Sequence, residues 1–177
     1  MGTEEILIRR IFPDEIEIFR RIRLEALRSE PASFASRFED WVALSHEEWR
    51  QRLHDPVFVV FNADEPVGIM GLLRQRPAKM AHRATLVMVY VRASFRGTDL
   101  AVSLLDVVID FAKGEGICQL ELAVSAENSA ALRFYNRYGF IEVGRIPSGL
   151  LDRDREVDEV LMVRRLRAVQ PCDAETV

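Results

Sequence analysis

The chain has 177 residues, of which 49% are hydrophobic and 29% charged, and its formal net charge is −4. This apolar content is enough for one domain with a substantial core, and the negative charge argues against a nucleic-acid partner. Two cysteines, an N-terminus without the features of a signal peptide and apolar runs too short to span a bilayer predict a cytoplasmic protein with no membrane partner.

The first half of the chain contains alternating strand and helix signals. Short apolar segments bounded by turn residues predict strands at 6–10, 57–61, 67–75 and 84–91. A helix is predicted over 14–30, with Asp14 as its cap and Pro31 as its stop. A second helix is predicted to start at Ser45, because Glu48 follows at capping-box spacing.

The stretch from 84 to 111 predicts a central strand, a short loop and a helix. The strand is apolar on both faces, as in the middle of a sheet. Apolar positions then recur with helical spacing from Leu100 to Phe111. A glycine loop around Gly97, leading from a strand into a helix, points free N–H groups and the positive helix end at one spot. Such a spot suits a phosphate or pyrophosphate, although a polar helix start without a ligand is the alternative.

The second half continues the alternation. Strands are predicted at 117–124, 140–146 and 157–166, the last two joined by a loop at 147–156. Between the first two lies a short helix that Asn128 or Ser129 can cap and that Gly139 ends. The order β-α-α-β-β-β-α-β-α-β-β predicts an α/β fold with a mixed sheet and helices on both faces. We expect a single domain over 1–167 and a flexible tail at 168–177.

Two motifs carry a resemblance to a known family. The segment 91–101, with Arg96-Gly97-Thr98-Asp99-Leu100-Ala101, resembles the acyl-CoA pyrophosphate loop of the GNAT superfamily of N-acetyltransferases. The segment 128–135, closed by Tyr138-Gly139-Phe140, resembles the second signature of that family, and 158–162 resembles its last strand. The likeness runs from about residue 6 to 166. It implies a mostly antiparallel sheet of six to seven strands, with a splay between two central parallel strands.

The resemblance also implies roles for individual residues. Acetyl-CoA is implied as co-substrate, with no metal. Backbone groups of Val89, Tyr90 and Val91 would hold the pantetheine arm, and an N–H near Val89 would hold the oxyanion. Asn128 would contact the pantetheine, and Tyr135 would protonate the leaving thiolate. The pyrophosphate would lie on the N–H groups of Arg96, Gly97, Thr98, Asp99, Leu100 and Ala101.

Structural explanations compete with several of these roles. Asn128 can be an N-cap alone, and Tyr135 lies on the apolar stripe of its helix, so burial alone can account for it. Cys118 alternates with apolar neighbours, which favours a core thiol over an acyl-carrying nucleophile. The three histidines, at 46, 54 and 82, lack the paired spacing of a metal site.

Two positions depart from the family pattern. Asp99 replaces the second glycine of the loop, where it can cap the helix, bond the N–H groups at 101 or 102 and repel a pyrophosphate. We expect weaker CoA binding unless Asp99 points to solvent or Arg96 offsets it. Thr85 stands where many relatives carry a glutamate base, and threonine cannot act as a base near neutral pH. Glu121 and His82 are substitutes by residue type only.

The acceptor site is expected along 31–41 and 148–155. Phe34 and Phe38, with Tyr90 from the central strand, are the predicted acceptor residues, and Trp41 could extend their apolar wall. Glu30 and two acidic residues at 39 and 40 could attract a cation, although ordinary helix packing is the alternative.

The implied function is acetyl transfer to a primary amine, either a small molecule or a peptide N-terminus. An acyl-CoA-binding module that has lost its chemistry is the alternative, and the last strands are compatible with a homodimer.

Overall fold

A computed structural model describes residues 5–166 of the chain. Strands lie at Ile6–Ile11 (β1), Val57–Asn62 (β2), Glu65–Arg74 (β3), Arg83–Val91 (β4), Gln119–Ser125 (β5), Ile141–Asp152 (β6) and Arg155–Arg165 (β7). Helices lie at Ile16–Ser29 (α1), Phe38–Val42 (α2), His46–Arg52 (α3), Leu100–Gly114 (α4) and Ser129–Arg137 (α5). The predicted tail at 168–177, with Cys172, lies outside the described residues.

The seven strands form one open sheet in the order β1-β2-β3-β4-β5-β7-β6. All neighbours are antiparallel except β4 and β5, which run parallel because α4 connects them as a crossover. The mixed, mostly antiparallel α/β fold with a central parallel pair is therefore confirmed.

Helices cover both faces of the sheet, and each face has its own apolar core. Along β2, Phe58 and Val60 belong to the core beneath α4 and α5, whereas Val57, Val59 and Phe61 belong to the core beneath α1 and α3. This alternation is the period of two that an extended strand imposes. β2 and β3 are thus apolar on both faces because both faces are covered.

The two predicted helix caps have different outcomes. Ser45 caps α3 as predicted: its Oγ accepts from the Glu48 N–H at 3.3 Å, and the Glu48 carboxylate accepts from the Ser45 N–H at 2.8 Å. Asp14 does not cap α1, whose N-cap position is Glu15. The Glu15 carboxylate accepts instead from the N–H of Phe12 at 3.0 Å and pairs with Arg9 at 2.7 Å.

The predicted loop at 147–156 is wrong, because β6 and β7 form one long hairpin that turns at 153–154. The loop was predicted to begin at Pro147 because proline is rare inside strands. Here it lies in an irregular segment between Ile146 and Leu150, where the β-ladder does not require its missing N–H.

No helix within the described residues is long and apolar enough to cross a membrane.

Candidate active site

A cleft opens between β4 and β5 because the two strands pair over only three residues. Parallel pairing runs from Arg83 with Gln119 to Thr85 with Glu121 and then stops, although both strands continue. The strands stay paired on their outer sides, to β3 and β7. The resulting cleft has a volume of about 980 Å³. The predicted splay is therefore confirmed, and it leaves backbone groups on the facing edges of both strands available to a ligand.

A bulge in β4 shapes one wall of this cleft. The β4 segment from Val87 to Tyr90 pairs with the β3 segment from Gly71 to Ile69. β4 therefore has one residue more than β3 here, and Met88 and Val89 lie outside the regular register. Met88 adopts a positive φ of 57°. Gly71, opposite Val87, leaves space for side chains of the bulge, since a Cβ there would lie 2.5 Å from the Met88 Cε and 2.9 Å from the Val87 Cγ2. The backbone near Val89 is thereby turned out of the ladder at the cleft.

The loop between β4 and α4 presents several N–H groups without backbone acceptors. Gly97 has a φ of +78°, a conformation that favours glycine, and no atom lies within 4 Å of its would-be Cβ. The Thr98 Oγ1 accepts from the Leu100 N–H at 3.3 Å and donates to the Phe95 carbonyl at 2.6 Å. Within the described residues, no backbone acceptor is recorded for the N–H groups of Gly97, Thr98, Asp99, Ala101 and Val102. This is the donor set that an anion at a helix start requires.

Asp99 does not cap α4 through its side chain, although the sequence indicated that it can. It occupies the N-cap position with φ −76° and ψ 5°, and its side chain makes no capping hydrogen bond. This backbone conformation differs from the extended one in which a cap side chain reaches the first turn. The carboxylate is exposed at the edge of the cleft. The N–H groups at Ala101 and Val102 therefore stay free of it.

Arg96 closes the loop against α1. Its Nη2 donates to Glu30 at 2.5 Å, and its Nε donates to the Val91 carbonyl at 3.3 Å. Glu30 is thus already paired with a cation, although both residues line the cleft. The expected role of Glu30 in attracting a cationic acceptor consequently has less support than the sequence indicated.

Asn128 caps α5 and also reaches across the cleft. Its Oδ1 accepts from the Ala131 N–H at 3.1 Å, and its Nδ2 donates to the Ser33 Oγ at 3.4 Å. The capping role is therefore observed. Since Asn128 also lines the cleft, capping leaves its proposed contact with pantetheine feasible.

Tyr135 projects from α5 into the same cleft while being almost completely buried, with 6% exposure. Its ring packs edge-on against Phe134 and Phe140, each at 5.4 Å between centroids. Burial raises the pKa of its hydroxyl above the ordinary value. The hydroxyl is accordingly protonated at neutral pH, as a proton donor must be.

Of the three predicted acceptor residues, Phe34 and Tyr90 line the cleft and Phe38 does not. Phe34 lines the cleft together with Trp41. Phe38 is not among the lining residues, and the guanidinium of Arg28 lies over its ring at 4.6 Å. Tyr90 lines the cleft, and its side chain packs into the core beneath α1 and donates its hydroxyl to Glu25 at 3.0 Å. The side chain of Tyr90 thus has a structural partner, while its backbone follows the bulge.

None of the candidate bases is well placed. The Thr85 Oγ1 accepts from the Gln75 side chain at 3.2 Å. Glu121 pairs with Arg83 through both carboxylate oxygens, and that pairing lowers the pKa of Glu121. Neither Glu121 nor His82 is among the residues that line the cleft. Within residues 5–166, no group of three or more metal-ligating side chains is found.

A charged residue that the sequence pattern did not single out lies in the cleft wall beside Phe34 and Trp41. Arg23 lies on the buried face of α1 beside Ile22 and Ala26, with 3% exposure, and lines the cleft. Its guanidinium is 4.7 Å from the ring of Phe34 and 4.4 Å from that of Trp41. The available signal was a charged residue at an apolar position of the helical period.

A second missed group fixes the far end of β4. Arg92 donates to Glu25 at 2.7 and 2.8 Å and to Glu65 at 3.0 Å, and Glu65 also pairs with Arg21 at 2.6 Å. These ion pairs join α1 and the start of β3 to the residue that follows β4.

Comparisons with known proteins agree with this geometry. The family model described as acetyltransferase (GNAT) family matches residues 19–140. Mycothiol acetyltransferase of Brachybacterium faecium is 30% identical over 109 residues, which is 58% of this chain and 33% of that protein. An uncharacterised N-acetyltransferase of Methanocaldococcus jannaschii is 27% identical over 137 residues, 76% of this chain and 60% of that protein. The chain therefore spans about one third and three fifths of the lengths of these two relatives.

Solved structures share the fold at low identity. An acetyltransferase of the GNAT family from Streptococcus pneumoniae has a TM-score of 0.79 and 22% identity, covering 91% of this chain and 99% of that one. A protein of Salmonella typhimurium, described as an acetyltransferase and solved with its cofactor acetyl-CoA, has a TM-score of 0.76 and 22% identity, covering 96% and 99%. At these identities the likeness shows the fold.

Proposed function

The chain belongs to the GNAT family of acetyltransferases, and from this premise we propose that it transfers an acetyl group from acetyl-CoA to a primary amine. The amine, of a small molecule or a peptide N-terminus, would attack the thioester directly. One observation carries the proposal: the β4–β5 pairing ends at Thr85 and Glu121, and the cleft that opens there extends to the loop whose N–H groups are free.

The residues present fit acetyl-CoA. The Gly97 loop offers a set of N–H groups at the start of α4, as a pyrophosphate requires. The unpaired edge of β4 beyond Thr85 offers backbone groups to an extended arm such as pantetheine. A fold neighbour from Salmonella typhimurium is described with the same cofactor. Asn128 stands beside this edge and would hold the arm.

The chemistry divides between backbone and side chains. When bound, acetyl-CoA supplies the thioester from which the acetyl group is transferred. The N–H near Val89, turned out of the ladder by the bulge, would donate to the carbonyl oxygen as it gains negative charge. Tyr135 would give its proton to the sulfur as the carbon–sulfur bond breaks.

The proton lost by the amine would leave through water. Thr85 cannot accept it, and the ion pair with Arg83 weakens Glu121 as a base because it lowers the pKa of that carboxylate. Cys118 is not among the cleft residues, and its thiol lies 3.6 Å from the Gly116 carbonyl. This placement supports direct attack over an acyl-cysteine route.

The test measures free-thiol release from acetyl-CoA with a panel of amines, beside thermal shifts with CoA and acetyl-CoA. We expect stabilisation by both ligands and thiol release with at least one amine. Stabilisation without turnover on any amine would replace the proposal by an acyl-CoA-binding module. Absence of stabilisation by either ligand would contradict both functions.

A further inference from the structure

Arg23 is a buried cation without an acidic partner among residues 5–166. It is 97% buried, and its Nε and Nη1 are enclosed without a hydrogen-bond partner within the described residues. Leaving such donors unsatisfied is costly, so proteins rarely keep them without a purpose. Burial lowers the pKa of the Arg23 guanidinium to about 10, so the group still carries its charge at neutral pH.

The surroundings of Arg23 stabilise its charge but do not satisfy its donors. Phe34 and Trp41 lie within 5 Å of the guanidinium, and both rings line the cleft with it. Contacts with ring faces offset part of the desolvation of a cation. The two rings lie near the guanidinium without accepting from its N–H groups. Nη2, which is not among the enclosed atoms, forms with Nε or Nη1 the fork that takes the two oxygens of a carboxylate.

The acidic residues nearest in sequence are engaged elsewhere. Glu25 is bound by Arg92 and Tyr90, and Glu30 is bound by Arg96. No ion pair to Arg23 is found between residues 5 and 166. The described residues therefore supply no counter-ion at this point, although the sequence has more acidic than basic residues.

The cleft also contains a second cation and two carboxylates. The second cation is Arg52, whose guanidinium lies 4.9 Å from the ring of Trp41. Asp55 and Glu159 line the cleft as well, and neither forms an ion pair within the described range. A cleft that combines a buried cation with free carboxylates suits a molecule that carries both an amine and an acid.

We propose that Arg23 binds a carboxylate of the acceptor, so that the substrate class is a free amino acid or a similar amino acid-like compound. This inference rests on the proposed function and names its acceptor. It disfavours polyamines, which carry no carboxylate, and protein N-termini, whose α-carboxylate is tied up in the peptide bond.

The test compares free L-amino acids with the corresponding amides, which differ only at the carboxylate. We expect wild-type kcat/KM to favour the preferred amino acid over its amide by about tenfold or more, from a charge-assisted pair. The amine of an amide is more easily deprotonated, so any bias from amine basicity would act against this result. Equal rates on acids, amides and simple amines would overturn the inference and leave the acetyltransferase proposal standing.

Variants of two arginines on α1 test whether Arg23 causes the preference for the amino acid over its amide. Arg23→Met is expected to raise KM for the amino acid about tenfold or more, to leave kcat nearly unchanged and to remove the preference over the amide. Arg28→Met is the matched control, because Arg28 covers Phe38 and does not line the cleft. Arg23→Lys keeps the charge without the planar fork and should recover part of the preference.

A binding measurement keeps the outcome decisive if Arg23→Met folds poorly or no amine is turned over. In the presence of CoA, amino acids should raise the Tm of the wild type, whereas their amides should not. Carboxylate-dependent stabilisation without turnover would support the Arg23 site and contradict the enzyme proposal. Absence of both would overturn the inference.

Discussion

The two halves of the cleft are built from different parts of the chain. The half near Gly97 and the β4 bulge, the proposed cofactor half, offers mainly backbone N–H groups, whose positions follow from φ angles and strand register. The half beneath α1, the proposed acceptor half, offers side chains, namely Arg23 between Phe34 and Trp41. Backbone groups are common to all residues, so many sequences can provide the N–H groups of the first half. The side chains of the second half change with each substitution there.

This difference explains why the sequence predicts one half better than the other. The cofactor half requires only a strand, a glycine in a left-handed conformation and a helix start, and these leave a short local pattern. The acceptor half joins Arg23 of α1 to Trp41 of α2 across a connecting segment. Its specificity depends on which side chains meet, which no local pattern records.

Tyr135 is the exception in the cofactor half, because it would act through its side chain. We expect Tyr135→Phe to lower kcat by about 100-fold, the scale of a lost general acid, and to leave KM for acetyl-CoA nearly unchanged. Steady-state thiol release measures both constants. Tyr138→Phe, at the end of the same helix, is the control and should lower kcat less than twofold. Equal effects of the two variants would remove the proton-donor role.

Gly97 tests whether the cofactor half depends on backbone conformation. Gly97→Ala should weaken acetyl-CoA binding about tenfold, since an L-residue at φ +78° costs about 1 to 2 kcal/mol. Calorimetry with acetyl-CoA measures the change. Gly114→Ala is the matched control, because Gly114 has open space around it and no positive φ. Unchanged affinity in Gly97→Ala would place the pyrophosphate elsewhere.

Asp99 tests whether a side chain can modulate the backbone site. Asp99→Gly should tighten acetyl-CoA binding by up to about fivefold, because repulsion at 4 Å in water is about 1 kcal/mol and Asp99 is exposed. Asp99→Asn separates charge from backbone freedom, and Asp106→Asn on the exposed side of α4 is the control. Equal or weaker binding by calorimetry would contradict the repulsion.

Glu121 lies at the closed end of the β4–β5 pair and should affect stability alone. Pairing with Arg83 lowers the pKa of Glu121 in the folded state, so its stabilisation is present above the unfolded pKa and is lost as pH falls through the folded value. Glu121→Gln should therefore reduce the free energy of unfolding by about 1 kcal/mol at pH 7, and less below about pH 4.

Activity measurements distinguish this stabilising role of Glu121 from a catalytic one. The pH–rate profile of Glu121→Gln should match that of the wild type through the carboxylate and histidine range. A large loss of kcat in Glu121→Gln would restore Glu121 as a base. Denaturation at several pH values and thiol release on the same samples provide both measurements.

Much of the fold was predictable from the sequence, and the exceptions have local causes. Ser45 and Glu48 fix the start of α3 through their own hydrogen bonds, so the capping box was sufficient. Asp14 failed as a cap because α1 begins at Ile16, which puts Glu15 at the N-cap position, and the Glu15 carboxylate pairs with Arg9 in β1. The hairpin of β6 and β7 was missed because Pro147 is tolerated in an irregular segment that only the pairing reveals.

The sequence by itself determined the order of elements, the crossover between β4 and β5 and the glycine loop that begins α4, since each depends on residues close together in the chain. Tertiary structure decided where the β4–β5 pairing ends, that β4 bulges at Met88 opposite Gly71 and that Arg23 has no counter-ion in the described part of the chain. These depend on groups brought together from distant segments, where burial and missing partners are set by the whole fold.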